Sequence, residues 1–143
     1  MVIIMAKQVA VIFGIVMLVV GILGFVPAVN TAGPSGTSYT LLLGIFAINP
    51  LHNVIHLATG AVALAAGLYG RGAYARMYFL VFGIVYALVS LIGITGLLFD
   101  SHGSLLGIVP INGADNALHL AITVLALGTY ALTSRPQVGA VAQ

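Results

Sequence analysis

Long apolar stretches alternate with short segments rich in Gly, Pro, Ser, Tyr or Arg along this chain. The first runs from Val9 to about Val29. At 1.5 Å of rise per residue, about 20 apolar residues cross a hydrocarbon layer of roughly 30 Å, so this stretch is long enough to span a bilayer. A signal peptide is the competing reading, with Lys7 as a short positive n-region. The run exceeds the roughly 7 to 15 residues of an h-region. Its segment FGIV (Phe13 to Val16) also returns as FGIV (Phe82 to Val85) inside a later apolar stretch, so the sequence predicts a retained first helix.

Residues 30–40, NTAGPSGTSYT, read as a loop. LLLGIFAI follows, too short to cross. It is expected to lie in the interface or to dip in and return, which requires its backbone to be covered by protein or water. Asn49-Pro50 starts a second helix, because Pro suits the first helical position, the residue before it is pushed out of the helical region, and Asn is a strong N-cap. This helix runs to about Leu68. Its lower half places Ala61 and Ala65, and Ala63 and Gly67, at the small-xxx-small spacing of closely packed membrane helices. Arginines among tyrosines in YGRGAYAR (Tyr69 to Arg76) suit a lipid headgroup boundary. A third span is expected from about Ala75 to Phe99. DSHGSLLGIVPI then leads to a fourth helix from Asn112 to near Thr133, with Asp115 at the N3 position of a capping box. The remaining SRPQVGAVAQ is expected to be a mobile tail.

The two halves repeat each other. Residues 42–57 (LLGIFAINPLHNVIHL) and 105–120 (LLGIVPINGADNALHL) match at nine of sixteen positions when offset by 63. Repeat 1 covers about 8–70 and repeat 2 about 74–134, within a single membrane domain over 1–143 that ends in the tail 135–143. The fold class expected is an all-α membrane protein: four transmembrane helices in an antiparallel bundle built from two parallel-repeat helical hairpins with pseudo-twofold symmetry.

Composition agrees. The chain is 62% hydrophobic and 4% charged, far from the roughly 25% charged residues of a soluble domain, so it reads as an integral membrane protein in contact with the lipid bilayer. Four Lys/Arg against two Asp/Glu form no basic patch and give no reason to expect nucleic-acid binding. The absence of cysteine excludes disulfides, thiolate metal sites and covalent c-type haem. Lys7, Arg71, Arg76 and Arg135 all fall on one side of a four-span arrangement, which makes both termini cytoplasmic and turns the start of helices 2 and 4 outward.

Nearly all polar side chains within the apolar helices lie in two stripes. Asn49, His52, Asn53 and His56 share one helical face, and Asn112, Asp115, Asn116 and His119 repeat that spacing. A polar group in hydrocarbon costs several kcal/mol without a partner, so both stripes should turn inward, near the outer end of the bundle. The plainest reading is structural: Asn49 and Asn112 as caps, Asp115 closing a capping box, and Asn53, His56, Asn116 and His119 as an interhelical clamp. Yet position 52 is His where its twin, 115, is Asp, and such a pair can share a proton or bind a cation. His52, His56, Asp115 and His119 supply three imidazoles and a carboxylate, suited to Zn or, less readily, Cu(II) or Ni, with Asn53 and Asn116 supporting them. Two further readings are haem or chlorophyll held between His56 and His119, as in an accessory subunit of a larger membrane complex, and transport or outside-pH sensing by His52 and Asp115, which would call for a homo-oligomer since four spans are few for a transporter. No Ser, Cys or Thr nucleophile is tied to the histidines by spacing, so an enzyme is not expected. His102 beside Asp100 reads as a solvated loop residue, and Phe13, Phe82 and Tyr86 as packing.

INPLHNVIHLATG and INGADNALHL, each preceded by an FGIV helix, resemble the uncharacterised bacterial family called domain of unknown function 4383 over about residues 8–133. The resemblance implies a small four-span protein of the bacterial inner membrane and carries no activity.

Overall fold

The structure, a computed structural model, describes residues 2–134, with side chains from residue 4. The expected tail, including Arg135, lies outside the described residues. Four helices dominate: α1 (Val2–Leu23), α2 (Pro50–Leu68), α3 (Gly72–Thr95) and α4 (Gly113–Ser134). Each is long and apolar enough to cross a membrane. α1 stops at Leu23, short of the expected Val29, and the chain turns through a 3-10 segment at Pro27–Val29.

The all-α expectation needs a correction in the connections. β1 (Asn30–Ala32), β2 (Thr40–Leu42) and β3 (Phe46–Ile48) form an antiparallel sheet before α2, and β4 (Ser104–Leu105) pairs with β5 (Val109–Pro110) before α4. LLLGIFAI therefore supplies nearly all of two of the sheet's three strands, with Leu42 opposite Phe46, and its counterpart sets Leu105 opposite Val109. Pairing satisfies the backbone groups that a short apolar segment would otherwise leave unmet. Both turns use two consecutive left-handed residues, Leu43 (φ 54°) with Gly44 (φ 72°), and Leu106 (φ 53°) with Gly107 (φ 69°). Glycine adopts that conformation freely, whereas leucine does so at a cost.

Close packing is concentrated within α1–α2 and α3–α4. Gly14 meets the Gly60 carbonyl and Leu64 backbone so tightly that a Cβ would lie 2.8 Å from both, and Gly67 fits against Lys7 and Val11 in the same way. Of the two small-residue pairs read from sequence, Ala63 and Gly67 are buried, while Ala61 and Ala65 are exposed. Between the two pairs of helices, α1 touches α3 and α4, and α2 touches α3. The core there is aromatic: Phe13 stands edge-on to Phe82 at 5.2 Å between ring centroids, and Phe79 is fully buried. The repeated FGIV phenylalanines thus meet each other. Ile12, Val16, Val81, Leu88, Val124 and Leu132 point outward and are about half or more exposed, a surface suited to lipid. Arg76 donates from Nη1 to the Thr133 carbonyl at 3.2 Å and closes the end of α4.

Candidate functional site

The polar stripes gather where the sheets meet the starts of α2 and α4. Asn49 is an extended N-cap (φ −142°) whose Oδ1 accepts from the His52 amide at 2.8 Å. Asn112 accepts from the Ala114 and Asp115 amides at 2.9 and 3.0 Å. The Asp115 carboxylate bonds back to the Asn112 amide at 2.9 Å, completing the capping box. Each cap also reaches across to the other half: Asn49 Nδ2 donates to the Ile108 carbonyl and Asn112 Nδ2 to the Ile45 carbonyl, both at 2.7 Å. Partners and donors differ by 63 positions, as in the sequence repeat.

Three imidazoles lie below the caps, and all three are buried. His52 stacks on His56 with ring centroids 4.8 Å apart, and lies 6.2 Å from His119. His52 Nδ1 is 3.0 Å from the Ala47 carbonyl, an acceptor only, so it carries the ring proton and donates. Nδ1 of His56 and of His119 is buried with no partner. An unmet lone pair is tolerated better than an unmet N–H, which assigns the proton of both rings to Nε2.

Asn53 and Asn116 face elsewhere. Asn53 packs on Gly24 at the end of α1, and Asn116 donates to the Gly93 carbonyl of α3 at 3.0 Å. A Cβ on either glycine would collide with the asparagine side chain. These residues join each helix to its neighbour in the same half and do not support the histidines.

Beside the histidines opens a groove of about 960 Å³ between α2 and α3. Its outer wall near the sheets includes Leu105, Val109 and Ile111, and His52 and His119 stand at that end. An aromatic row runs along α3: Tyr78 stacks on Phe82 at 5.1 Å, Phe82 lies 4.3 Å from Tyr86, and Tyr86 meets His119 edge-on at 5.2 Å. Tyr78 is held by a hydrogen bond from its hydroxyl to the Thr59 carbonyl at 3.2 Å. Among the described residues no Lys, Arg, Asp or Glu lines the groove.

The profile of a family described as "Domain of unknown function (DUF4383)" matches residues 7–132. The chain belongs to that family. No curated protein and no solved structure matches it.

In this DUF4383 chain the expected four-ligand set for Zn, Cu or Ni is not assembled. Asp115 Oδ2 is engaged by the Ala47 and Asn112 amides, and His52 Nδ1 by a carbonyl. Among the described residues no group of three or more His, Cys, Asp or Glu side chains is arranged to hold a metal ion. Nor do His56 and His119 frame a haem or chlorophyll, because the His52 ring lies against both. The expected sharing of a proton between Asp115 and His52 gives way to a different account of their asymmetry. Ala47 donates its N–H to Asp115 at 3.0 Å; its counterpart in the repeat is Pro110, which has no N–H, and the Pro110 backbone lies beside His52. A carboxylate at 52 would lack the donor that Asp115 enjoys. Sequence reading missed this coupling, although the mismatches 47/110 and 52/115 fall in the same repeated segment. It also missed Gly24 and Gly93, which recur at the 69-residue offset of the FGIV helices. His102 is exposed in the turn before β4. There the Ser104 amide, 2.8 Å from Asp100 Oδ1, holds that exposed carboxyl below its usual range, helped by the His102 amide.

Proposed function

We propose that this DUF4383 protein is a non-catalytic, multi-pass protein of the bacterial inner membrane that binds a lipophilic molecule in the groove between α2 and α3. In this reading both termini are cytoplasmic and the sheets face outward, in line with Lys7, Arg71 and Arg76 lying at the opposite end of the helices. The two halves form an antiparallel bundle related by a pseudo-twofold axis. The exchanged Asn49–Ile108 and Asn112–Ile45 bonds and the Phe13–Phe82 contact support that symmetry. The caps and buried histidines act as a polar latch that holds the halves together at the outer end and fixes one end of the groove.

The observation that carries the binding role is the groove itself. Its volume of about 960 Å³ is at the upper end of the roughly 300 to 1,000 Å³ of small-molecule sites. Its walls are mostly apolar, with His52 and His119 at the sheet end and Tyr69 and Tyr74 at the other. A binding role is preferred to a catalytic one because Asp115, the only acid within the helices, is committed to two backbone amides. Native mass spectrometry of gently released protein tests the reading. Wild type should retain one small molecule per chain, and Val62→Phe, at an exposed position lining the groove, should retain less than a tenth as much. Equal retention by both, or none by either, contradicts it.

A further inference from the structure

Resting on that reading, we infer that the groove's ligand is an isoprenoid quinone, seated with its ring against His119 and Tyr86 at the sheet end and its tail along α2 and α3. Four features of the groove select this chemistry.

The first is charge. Among the described residues no Lys, Arg, Asp or Glu lines the groove, so a phosphodiester or carboxylate seated at its histidine end would be buried without a counter-ion, which is costly. The ligand's head is neutral.

The second is hydrogen bonding. His119 is 4% exposed, its Nδ1 is buried and unpartnered, and it lines the groove. The proton on Nε2 makes it a donor, and a donor in an apolar site calls for an acceptor such as a ring carbonyl. Once bound, that carbonyl accepts from Nε2–H of a ring whose side chain makes no hydrogen bond among the described residues, while the buried Nδ1 stays an unshared lone pair.

The third is shape. Tyr86 stands edge-on to His119 and continues into Phe82 and Tyr78. This row offers ring faces and edges to a flat conjugated head, an arrangement that an ester-linked glycerol would not use.

The fourth is length. The groove follows α2 from His52 to Tyr69, about 25 Å at 1.5 Å per residue. Ile55, Val62, Val81 and Val85 give it branched aliphatic walls that match a branched isoprenoid chain in shape. The proposal concerns binding alone and involves no change in the quinone's oxidation state.

The chain has six tyrosines and no tryptophan, so tyrosine emission reports directly on a quinone near Tyr78 and Tyr86. Full-length protein in nanodiscs of phosphatidylcholine is titrated with ubiquinone carrying a two-unit isoprenoid tail. Saturable quenching at one quinone per chain is expected. His119→Leu and Val62→Phe should each weaken it at least tenfold, and His119→Gln, which keeps an N–H donor, should restore part of the loss. Because Val62 is exposed, its variant reports on the groove even where a change at His119 prevents folding. Quenching that rises linearly without saturation, or that is unchanged in Val62→Phe, overturns the quinone assignment. So does displacement of the quinone by an equal concentration of dioleoylglycerol. Those results leave lipophile binding standing if mass spectrometry still finds a different neutral molecule retained by wild type and lost in Val62→Phe; retention of nothing at all overturns both.

Discussion

Asp115 and His52 hold equivalent places in the repeat and do different work because of one atom elsewhere. Ala47 has an N–H to give to Asp115, and Pro110 has none to give at the matching place. This yields a thermodynamic cycle. His52→Asp alone should destabilise the protein by about 2 to 3 kcal/mol, the usual cost of a buried acceptor without its donor. In a Pro110→Ala background the added cost should fall by about 1 to 2 kcal/mol, since the new amide can serve the carboxylate. Denaturant unfolding in detergent micelles measures both, and strict additivity would show that the two positions are not coupled. The candidate residues themselves were legible from spacing, because polar letters stand out in apolar helices. Their partners were not legible, because most are backbone groups: Ala47, Ile45, Ile108 and Gly93 act through N–H or C=O atoms that every residue carries.

Among the elements, the helices followed from the sequence within a few residues at the starts of α2 and α4, where Asn caps mark them. The sheets did not, because LLLGIFAI offers only an apolar run, and an apolar run of that length has the same appearance in a strand and in a buried helical turn. Only the left-handed pairs at Leu43-Gly44 and Leu106-Gly107 make the hairpins, and a Leu-Gly dipeptide is a weak turn signal. Contacts between helices are set by glycines at specific depths. Gly24→Ala and Gly93→Ala drive a methyl group into Asn53 and Asn116, and each should cost about 1 to 3 kcal/mol. Gly128→Ala enters open space and should leave stability unchanged or raise it by up to about 1 kcal/mol through helix propensity. Thermal unfolding of the three variants separates these outcomes; a loss at Gly128 equal to that at Gly24 would mean that helix contacts are not what makes glycine necessary.

For the whole molecule, two similar helix pairs joined at the sheet end create what neither has alone: a partly open seam between α2 and α3, with imidazoles at its end. The duplication was readable as a 63-residue offset, and with it the convergence of His52, His56 and His119 near one end. The groove was not readable, because it is made of ordinary apolar residues whose significance lies in a gap between helices. The account depends on how those histidines are held. Solid-state NMR of protein labelled with 15N-histidine in lipid bilayers tests this most directly, with exposed His102 as an internal reference. The expected spectrum has the ring proton on Nδ1 in His52 and on Nε2 in His56 and His119, with proximity cross-peaks from His52 to both. Ring protons that exchange with bulk water as those of His102 do, or the absence of a His52–His119 cross-peak, would contradict it.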